Sequence, residues 1–497
     1  MTRRHASLSL LAVAATTLAI ACARTAAVAT APAIPERTAA AFPAGWRFPA
    51  GQPATHAPNG MVVSNSAIAS AVGAEIMRRG GNAVDAAVAT GFALAVTYPI
   101  AGNLGGGGFM VVRMADGRSA ALDYREVAPL AAHRNMYLDS AGNLTDRSLV
   151  GHLASGVPGS VAGMAEALRR YGTMSLREVV EPAIRLATEG FEIDASFAGG
   201  LEGARDFLPQ FEGARLLYPG GVPLAPGTRL VQPELAWTLR QIAERGPEGF
   251  YRGPVADSLV AEMKRGGGII THEDLAAYRA VWREPVRGTY RGYTLLSMPP
   301  ASSGGVTMTE TLNVLETWGA PAPYGSTQWA HRLAEAYQRA FVDRNAKLAD
   351  PAFVKVPQEE LTSKTYAKRL RAGIDDARHT PTPLAERQMA EGMHTTHYSV
   401  VDGRGNAVAT TTTLNNSYGS GVWVRGAGFI MNDEMDDFAA QPGKPNMFGL
   451  VQGEANAIAP GKRMLSAMTP TVVLDPAGRV LLVVGAAGGP TIITGTS

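Results

Sequence analysis

From Ala83 to Val96 the chain is apolar on almost every face of a helix, and Asp85 is its only charge. A surface helix keeps one polar side, so a segment like this folds only when other elements cover it all round, which calls for a layered architecture. The 497 residues supply enough chain for such layers. Charged residues make up 18% and hydrophobic ones 46%, which excludes a disordered chain. Lys and Arg number 45 against 43 Asp and Glu, too even a balance for a basic nucleic-acid face, so no nucleic-acid partner is expected. A single cysteine excludes an internal disulfide and a thiolate metal cluster.

Residues 1–21 begin with Arg3 and Arg4, continue through an apolar run from Leu8 to Ala21, and read as a secretory signal too short to span a membrane. Cys22 follows Ala19-Ile20-Ala21, where a bacterial lipobox places its lipid-carrying residue, although leucine is more usual at the position of Ala19. The other reading is an ordinary cleaved signal with Cys22 incidental. Either way the mature protein is expected in the periplasm, free or attached to the envelope membrane through a lipid on Cys22. Residues 22–58 are rich in Ala, Pro and Thr without periodicity and read as a tether.

Met61 to Ser64 reads as a short strand. Ser66 to Arg79 reads as a helix closed by Gly80-Gly81, and Asn82 is placed to cap the apolar helix. The run Gly105-Gly106-Gly107-Gly108 precedes two strands, Phe109 to Met114 and Ala120 to Arg125, joined at Asp116-Gly117. Phosphate-cradling glycine loops lead into a helix, so these glycines read as permitting close backbone approach. From about Ser155 to Arg387 helical patterns alternate with Gly and Pro breaks, and those helices, among them Ser160 to Tyr171 and Gln328 to Lys347, read as scaffold rather than site. The texture then changes to β-branched strands: Thr396 to Val401 and Ala407 to Leu414 form a hairpin, with later strands at Thr471 to Leu474 and Val480 to Val484. The expected class is layered α/β.

No G-x-S-x-G elbow or S-x-x-K pair is present. His394 and His397 would face opposite sides of a strand, so no metal site and no cofactor is expected. The stretch His394-Thr395-Thr396-His397-Tyr398-Ser399-Val400-Val401-Asp402 is more telling. Threonines suit strands, and that reading suffices for an arbitrary hairpin. A threonine made N-terminal by chain cleavage, however, carries its own base, an α-amino group with a pKa of about 8 beside the hydroxyl.

Several blocks, in order and over nearly the whole mature chain, resemble the γ-glutamyltransferase family of N-terminal-nucleophile hydrolases. They are Ser64 to Pro99, Gly102 to Met110, Asp123-Tyr124-Arg125-Glu126, Pro299 to Gly305, Thr395 to Asp402, Leu414-Asn415, Asn432 to Phe438 and Pro470 to Gly489. The resemblance implies a precursor that cuts itself between His394 and Thr395. Residues 59–394 and 395–497 would be the large and small subunits, a heterodimer intertwined in one four-layer αββα sandwich. Thr395 would attack glutathione or a related γ-glutamyl compound and pass the γ-glutamyl group to water, an amino acid or a dipeptide. Thr413 matches the threonine that holds the nucleophile, and Gly488 and Gly489 match the oxyanion amides. Arg125 matches the arginine for the substrate α-carboxylate. Its alternative is a structural ion pair with Asp123 or Glu126. Asn415, Glu434 and Asp437 match residues around the α-amino group, and the last two, three apart, would share one side of a helical turn. Ser466 matches the first of a serine pair on the carboxylate.

The second serine of that pair is Ala467 here. The oxyanion segment reads Gly485-Ala486-Ala487-Gly488-Gly489-Pro490, with Ala486, Ala487 and Pro490 departing from the family, and the part after Thr395 is short for it, as in a fragment. Gln441 to Asn456 resembles a lid loop, with Phe448 where a tyrosine is frequent. Two alternatives stand beside the transferase: a glutaryl (cephalosporin) acylase of the same family, and a non-catalytic envelope lipoprotein that keeps the fold but is never cut.

Overall fold

Ser66 and Asn82 start two helices. The Ala69 amide donates to the Ser66 hydroxyl at 3.2 Å at the head of α1 (Ala67–Arg78), and the Val84 and Asp85 amides donate to the Asn82 side chain at the head of α2 (Ala83–Thr97). All 15 residues of α2 are buried, as its composition requires. Asp85 anchors this helix. Its carboxylate accepts the Asn82 amide at 2.7 Å, completing a capping box, and also the Thr173 amide at 2.8 Å, the Thr173 hydroxyl at 2.6 Å and the Met174 amide at 3.0 Å. These bonds fasten α2 to the loop after α3 (Ser160–Tyr171).

This computed structural model describes residues 54–381 and 395–497. The signal segment, Cys22, nearly all of the tether and His394 lie outside the described residues. Two antiparallel sheets form the body. The strands are β1 (Gly60–Val63), β2 (Gly107–Arg113), β3 (Ser119–Tyr124), β4 (Phe191–Glu192), β5 (Arg229–Leu230), β6 (Val281–Arg283), β7 (Val286–Tyr290), β8 (Tyr293–Ser297), β9 (Thr395–Asp402), β10 (Ala407–Thr413), β11 (Thr471–Leu474) and β12 (Val480–Val484). The first sheet runs β1-β9-β10-β2-β3-β6, the second β12-β11-β8-β7, and β4 pairs with β5 alone. Both large sheets therefore combine strands from before and after Thr395, and in the first the later pair β9-β10 lies between the earlier strands β1 and β2.

Period-two alternation sorts the side chains of the first sheet. Met110, Val112, Tyr398 and Val400 join the residues of α2 in one core, whereas Phe109, Val111, Ala407 and Ala409 join Leu296, Val472 and Leu474 of the second sheet in another. Helix α4 (Gly304–Glu316) packs on β7 and β8, with α5 (Thr327–Lys347) and α6 (Thr491–Thr496) against it.

The expected strands and the helix bounds agree with the structure to within a residue or two, but β6, β7 and β8 correct the reading of 155–387 as helices and breaks. The strands β7 and β8 are five residues each and are joined by a two-residue turn, Arg291-Gly292, with φ of 50° and 87°. A positive φ at both central positions is the twist that a tight hairpin requires. Arginine gives no turn signal there.

Replacing Asp85 with Ala would leave three amides, that of Asn82 buried, and a hydroxyl without their acceptor. A destabilisation of about 3 kcal/mol is expected, measured as a lowered urea midpoint; an unchanged midpoint would show that the anchor is not needed.

Candidate functional site

The strand β9 lies between β1 and β10, hydrogen-bonded on both sides, and its first residue is Thr395. The antiparallel register sets Thr395 directly opposite Thr413, the last residue of β10, and brings the two hydroxyl oxygens to 3.3 Å. The Asn415 amide donates to the Thr413 hydroxyl at 3.0 Å, from a backbone held at φ 80°, a left-handed conformation that asparagine tolerates. Behind them runs the glycine loop. A Cβ on Gly106 would stand 2.2 Å from the Thr413 carbonyl oxygen, and the Asn103 side chain donates to that same oxygen at 2.9 Å. The glycines thus serve the close approach expected of them, and what they approach is the end of β10 that carries Thr413.

Arg125 follows β3 and is fully buried. It bonds to Glu434 at 2.5 Å and to Asp437, with Glu126 at 3.6 Å. Of the two structural partners expected for it, only Glu126 is in range. Asp123 instead accepts the Arg125 amide at 3.0 Å and pairs with Arg283 and Arg463. Glu434 and Asp437 stand at either end of a single 3₁₀ turn, Glu434–Asp437, so their spacing of three does bring both to one side. The Asn432 side chain holds this turn: it donates to the Gly105 and Gly156 carbonyls and accepts the Glu434 amide.

Burial would lower the Arg125 guanidinium, but the fields of Glu434, Asp437 and Glu126 outweigh it and raise it. Burial raises all three carboxyls against the pull of Arg125, and takes Glu126 to about 7. The cluster holds more acids than one arginine neutralises, so it retains protons that solvated carboxylates would have lost.

Thr395, Thr413, Asn415, Arg125, Asp437, Ser466, Ala467, Phe448 and Gly489 line one cavity of about 20 Å³, room for a water but for nothing larger. Gly488 and Glu434 stand one step behind it. Phe448 forms the roof. A Cβ on Gly489, whose φ is +56°, would come within 2.8 Å of its ring. The loop carrying Phe448 is tied to the acidic turn: Gln452 and Asn456 donate to the Asp437 carbonyl, and the Met447 amide to the Asp436 carboxylate. A larger groove of about 670 Å³ over α3 has its charged rim paired internally, Arg169 to Glu166 and Arg252 to Glu248, and lies apart from Thr395.

One charged lining residue escaped the sequence reading. Arg344, on α5, is 1% exposed and reaches this cavity. This corrects the view of that helix as scaffold alone. Ala336, Ala340, Asp343 and Arg344 are buried at helical spacing, so a charge standing on the inward stripe was the available signal. His397 shares the Thr395 face of β9, with Nδ1 2.9 Å from the Thr411 hydroxyl and Nε2 3.0 Å from the Ser399 hydroxyl. Burial lowers its imidazole to about 3, so it is neutral. Among the described residues no cluster of three or more His, Cys, Asp or Glu is placed to hold a metal.

A family model described as Gamma-glutamyltranspeptidase matches residues 69–497. The chain belongs to the gamma-glutamyltranspeptidase family. It is 49% identical over 445 residues to the Glutathione hydrolase proenzyme of Escherichia coli (strain K12), covering 88% of this chain and 77% of that one. The crystal structure of Helicobacter pylori gamma-glutamyltranspeptidase superposes with a TM-score of 0.65 at 44% identity, over 66% of this chain and 95% of that chain. A cephalosporin acylase from Bacillus halodurans gives a TM-score of 0.76 at 28% identity, over 91% and 82%.

Thr413→Val would remove the hydroxyl beside Thr395 and leave the Asn415 amide unpaired, whereas Thr413→Ser would keep both contacts. The valine variant is expected to slow the chemistry at Thr395 by about tenfold or more, and the serine variant much less, as read by the rate of appearance of the cut chain. Equal rates would remove Thr413 from the site.

Proposed function

We propose that this chain is a self-cleaving γ-glutamyltransferase and glutathione hydrolase, built as a four-layer αββα sandwich and exported to the periplasm, where the lipid on Cys22 is the remaining alternative to a free enzyme. The contacts support this layering: α2 packs on one face of the first sheet, the second sheet on its other face, and α4 on the second sheet. The observation that carries the activity is the placement of Thr395, buried at the start of a central strand, 3.3 Å from Thr413, in one cavity with Arg125, Asn415 and Asp437.

The site also says which base is needed. Neutral His397 is bonded at both nitrogens, and Asp437, the one carboxylate among the described residues that line the cavity, is committed to Arg125. Cleavage between His394 and Thr395 would supply the missing base as the α-amine of Thr395, and would divide the chain into subunits 59–394 and 395–497. The amine then takes the proton of the Thr395 hydroxyl as its oxygen attacks the γ-amide carbonyl. The amides of Gly488 and Gly489 stabilise the oxyanion, the proton passes to the departing amine, and a γ-glutamyl ester remains. Water or an amino acid or dipeptide amine resolves the ester. Arg125 and Ser466 are the contacts for the substrate carboxylate, with Asn415, Glu434 and Asp437 for its ammonium. The Phe448 loop must lift to admit substrate and close to exclude water.

Likeness to the cephalosporin acylase favours a glutaryl-accepting enzyme as the second reading. Glutaryl lacks the ammonium, and entry of its carboxylate at Arg125 would leave Glu434 and Asp437 buried without a cation. The processed protein should therefore cleave γ-glutamyl amides faster than glutaryl amides; the reverse order would select the acylase.

Intact mass spectrometry beside Thr395→Ala tests the cleavage. Two pieces are expected from the native chain, the smaller starting with a free Thr395 amine, and one uncut piece from the variant. A single uncut native chain would instead support the non-catalytic lipoprotein. The pH profile tests the electrostatics. As pH rises through about 7 Glu126 loses its proton, the cluster gains negative charge for the ammonium, and kcat/KM should climb. In Glu126→Gln that limb should vanish and leave the one set by the Thr395 amine at about 8; an unchanged profile would show that Glu126 does not titrate in the working range.

A further inference from the structure

Arg125 and Arg344 line the same cavity, but their partners differ in kind. Arg125 faces three carboxylates, Glu434, Asp437 and Glu126. Arg344 is as deeply buried, yet its hydrogen bonds go to neutral groups: Nε donates to the Ser303 hydroxyl at 2.9 Å and Nη1 to the Asn345 side-chain oxygen at 2.8 Å. Among the described residues, the one opposing charge acting on it is the field of Asp437, which itself is bonded to Arg125. A buried guanidinium without its own carboxylate is costly, and burial lowers this one to about 10. Such a group is completed by an anion arriving from outside.

Its surroundings say where that anion would sit. Ser303 passes the contact on, since its hydroxyl donates to the Ser466 carbonyl at 2.6 Å and its amide to the same oxygen at 2.8 Å. Arg344 thus stands against the Ser466-Ala467 segment, where the second hydroxyl of the family's serine pair is missing. An incoming carboxylate approaching Arg125 alone would be the fourth acidic group around one guanidinium, whereas Arg344, among the described residues, has no carboxylate of its own in the same cavity.

We infer that Arg344 is a second cation of the acyl-group site, binding the α-carboxylate of the glutamyl substrate jointly with Arg125 in the place where Ala467 leaves no hydroxyl. The inference rests on the γ-glutamyl reading of the site. On this view the pocket holds a zwitterionic head group between two poles: the ammonium on Glu434 and Asp437, and the carboxylate between two arginines.

The test compares native enzyme, Arg344→Lys and Arg344→Gln, using L-glutamate and 4-aminobutyrate as competitive inhibitors of γ-glutamyl-p-nitroanilide hydrolysis. The two inhibitors differ only by the α-carboxylate. The inhibition constant of glutamate should rise about tenfold or more in Arg344→Gln, the loss expected for a charge-assisted contact, with partial recovery in Arg344→Lys. That of 4-aminobutyrate should move less than about twofold, and KM should rise more than kcat falls. Equal weakening of both inhibitors would show a merely structural role and overturn the inference, as would no weakening of either. If the variants do not fold or self-cleave, a crystal structure of the native enzyme with glutamate decides. A carboxylate within hydrogen-bond distance of Arg344 supports the inference, and one held by Arg125 alone overturns it. Native enzyme that processes itself but leaves γ-glutamyl-p-nitroanilide intact would overturn the γ-glutamyl reading and this inference with it.

Discussion

The site depends on one ladder, the pairing of β9 with β1 on one side and β10 on the other. A strand held on both edges cannot slide, and a slip of one residue would turn Thr395 away from the second sheet and put Thr396 in its place. The same register that fixes Thr395 opposite Thr413 also fixes Val400 and Tyr398 against α2, so core packing and nucleophile placement are enforced by the same bonds. The apolar helix α2, pinned by Asp85, closes the far side of that sheet and makes the ladder rigid.

Electrostatics are concentrated at one edge of this scaffold. Three acids and two arginines lie in or just behind a cavity that excludes bulk water, where every charge interacts strongly with every other. The arrangement tolerates burial because Arg125 is shared among the acids. On the proposed reading it exchanges partners: a carboxylate that engages the arginines would release acids to take an ammonium. A site of this kind recognises a pair of opposite charges at fixed spacing better than either charge alone.

Much of this could be read from the chain. The caps Ser66 and Asn82, the hairpin of β9 and β10 and the strands β11 and β12 announce themselves through side-chain chemistry and period-two patterning. Thr395, Thr413, Arg125, Asn415 and Asp437, singled out by resemblance, line one cavity. What escaped has physical reasons. The strands β7 and β8 are short, and their turn uses Arg291 in a conformation usually left to glycine or asparagine. Arg344 shares the buried stripe of its helix with Glu335 and Asp343, and a charge on a buried stripe carries no hint of what it faces until the helix is docked. Arg125 and the acidic turn are 309 to 312 residues apart in sequence, and only the fold reveals that they bind one another.

The interleaving of strands from both sides of Thr395 bears on the history of each molecule. A cut ahead of β9 leaves β1, β2 and β3 on one piece and β9 and β10 on the other, woven into a single sheet. Neither piece has a complete sheet of its own, so the parts have no independent folded state to separate into. Folding must therefore precede cutting. Once cut, the molecule has turned a one-chain folding problem into a two-body one, in which unfolding releases partners that must find each other again at a rate set by dilution. Maturation acts as a ratchet, and the native state persists afterwards through its barrier to coming apart rather than through ready return.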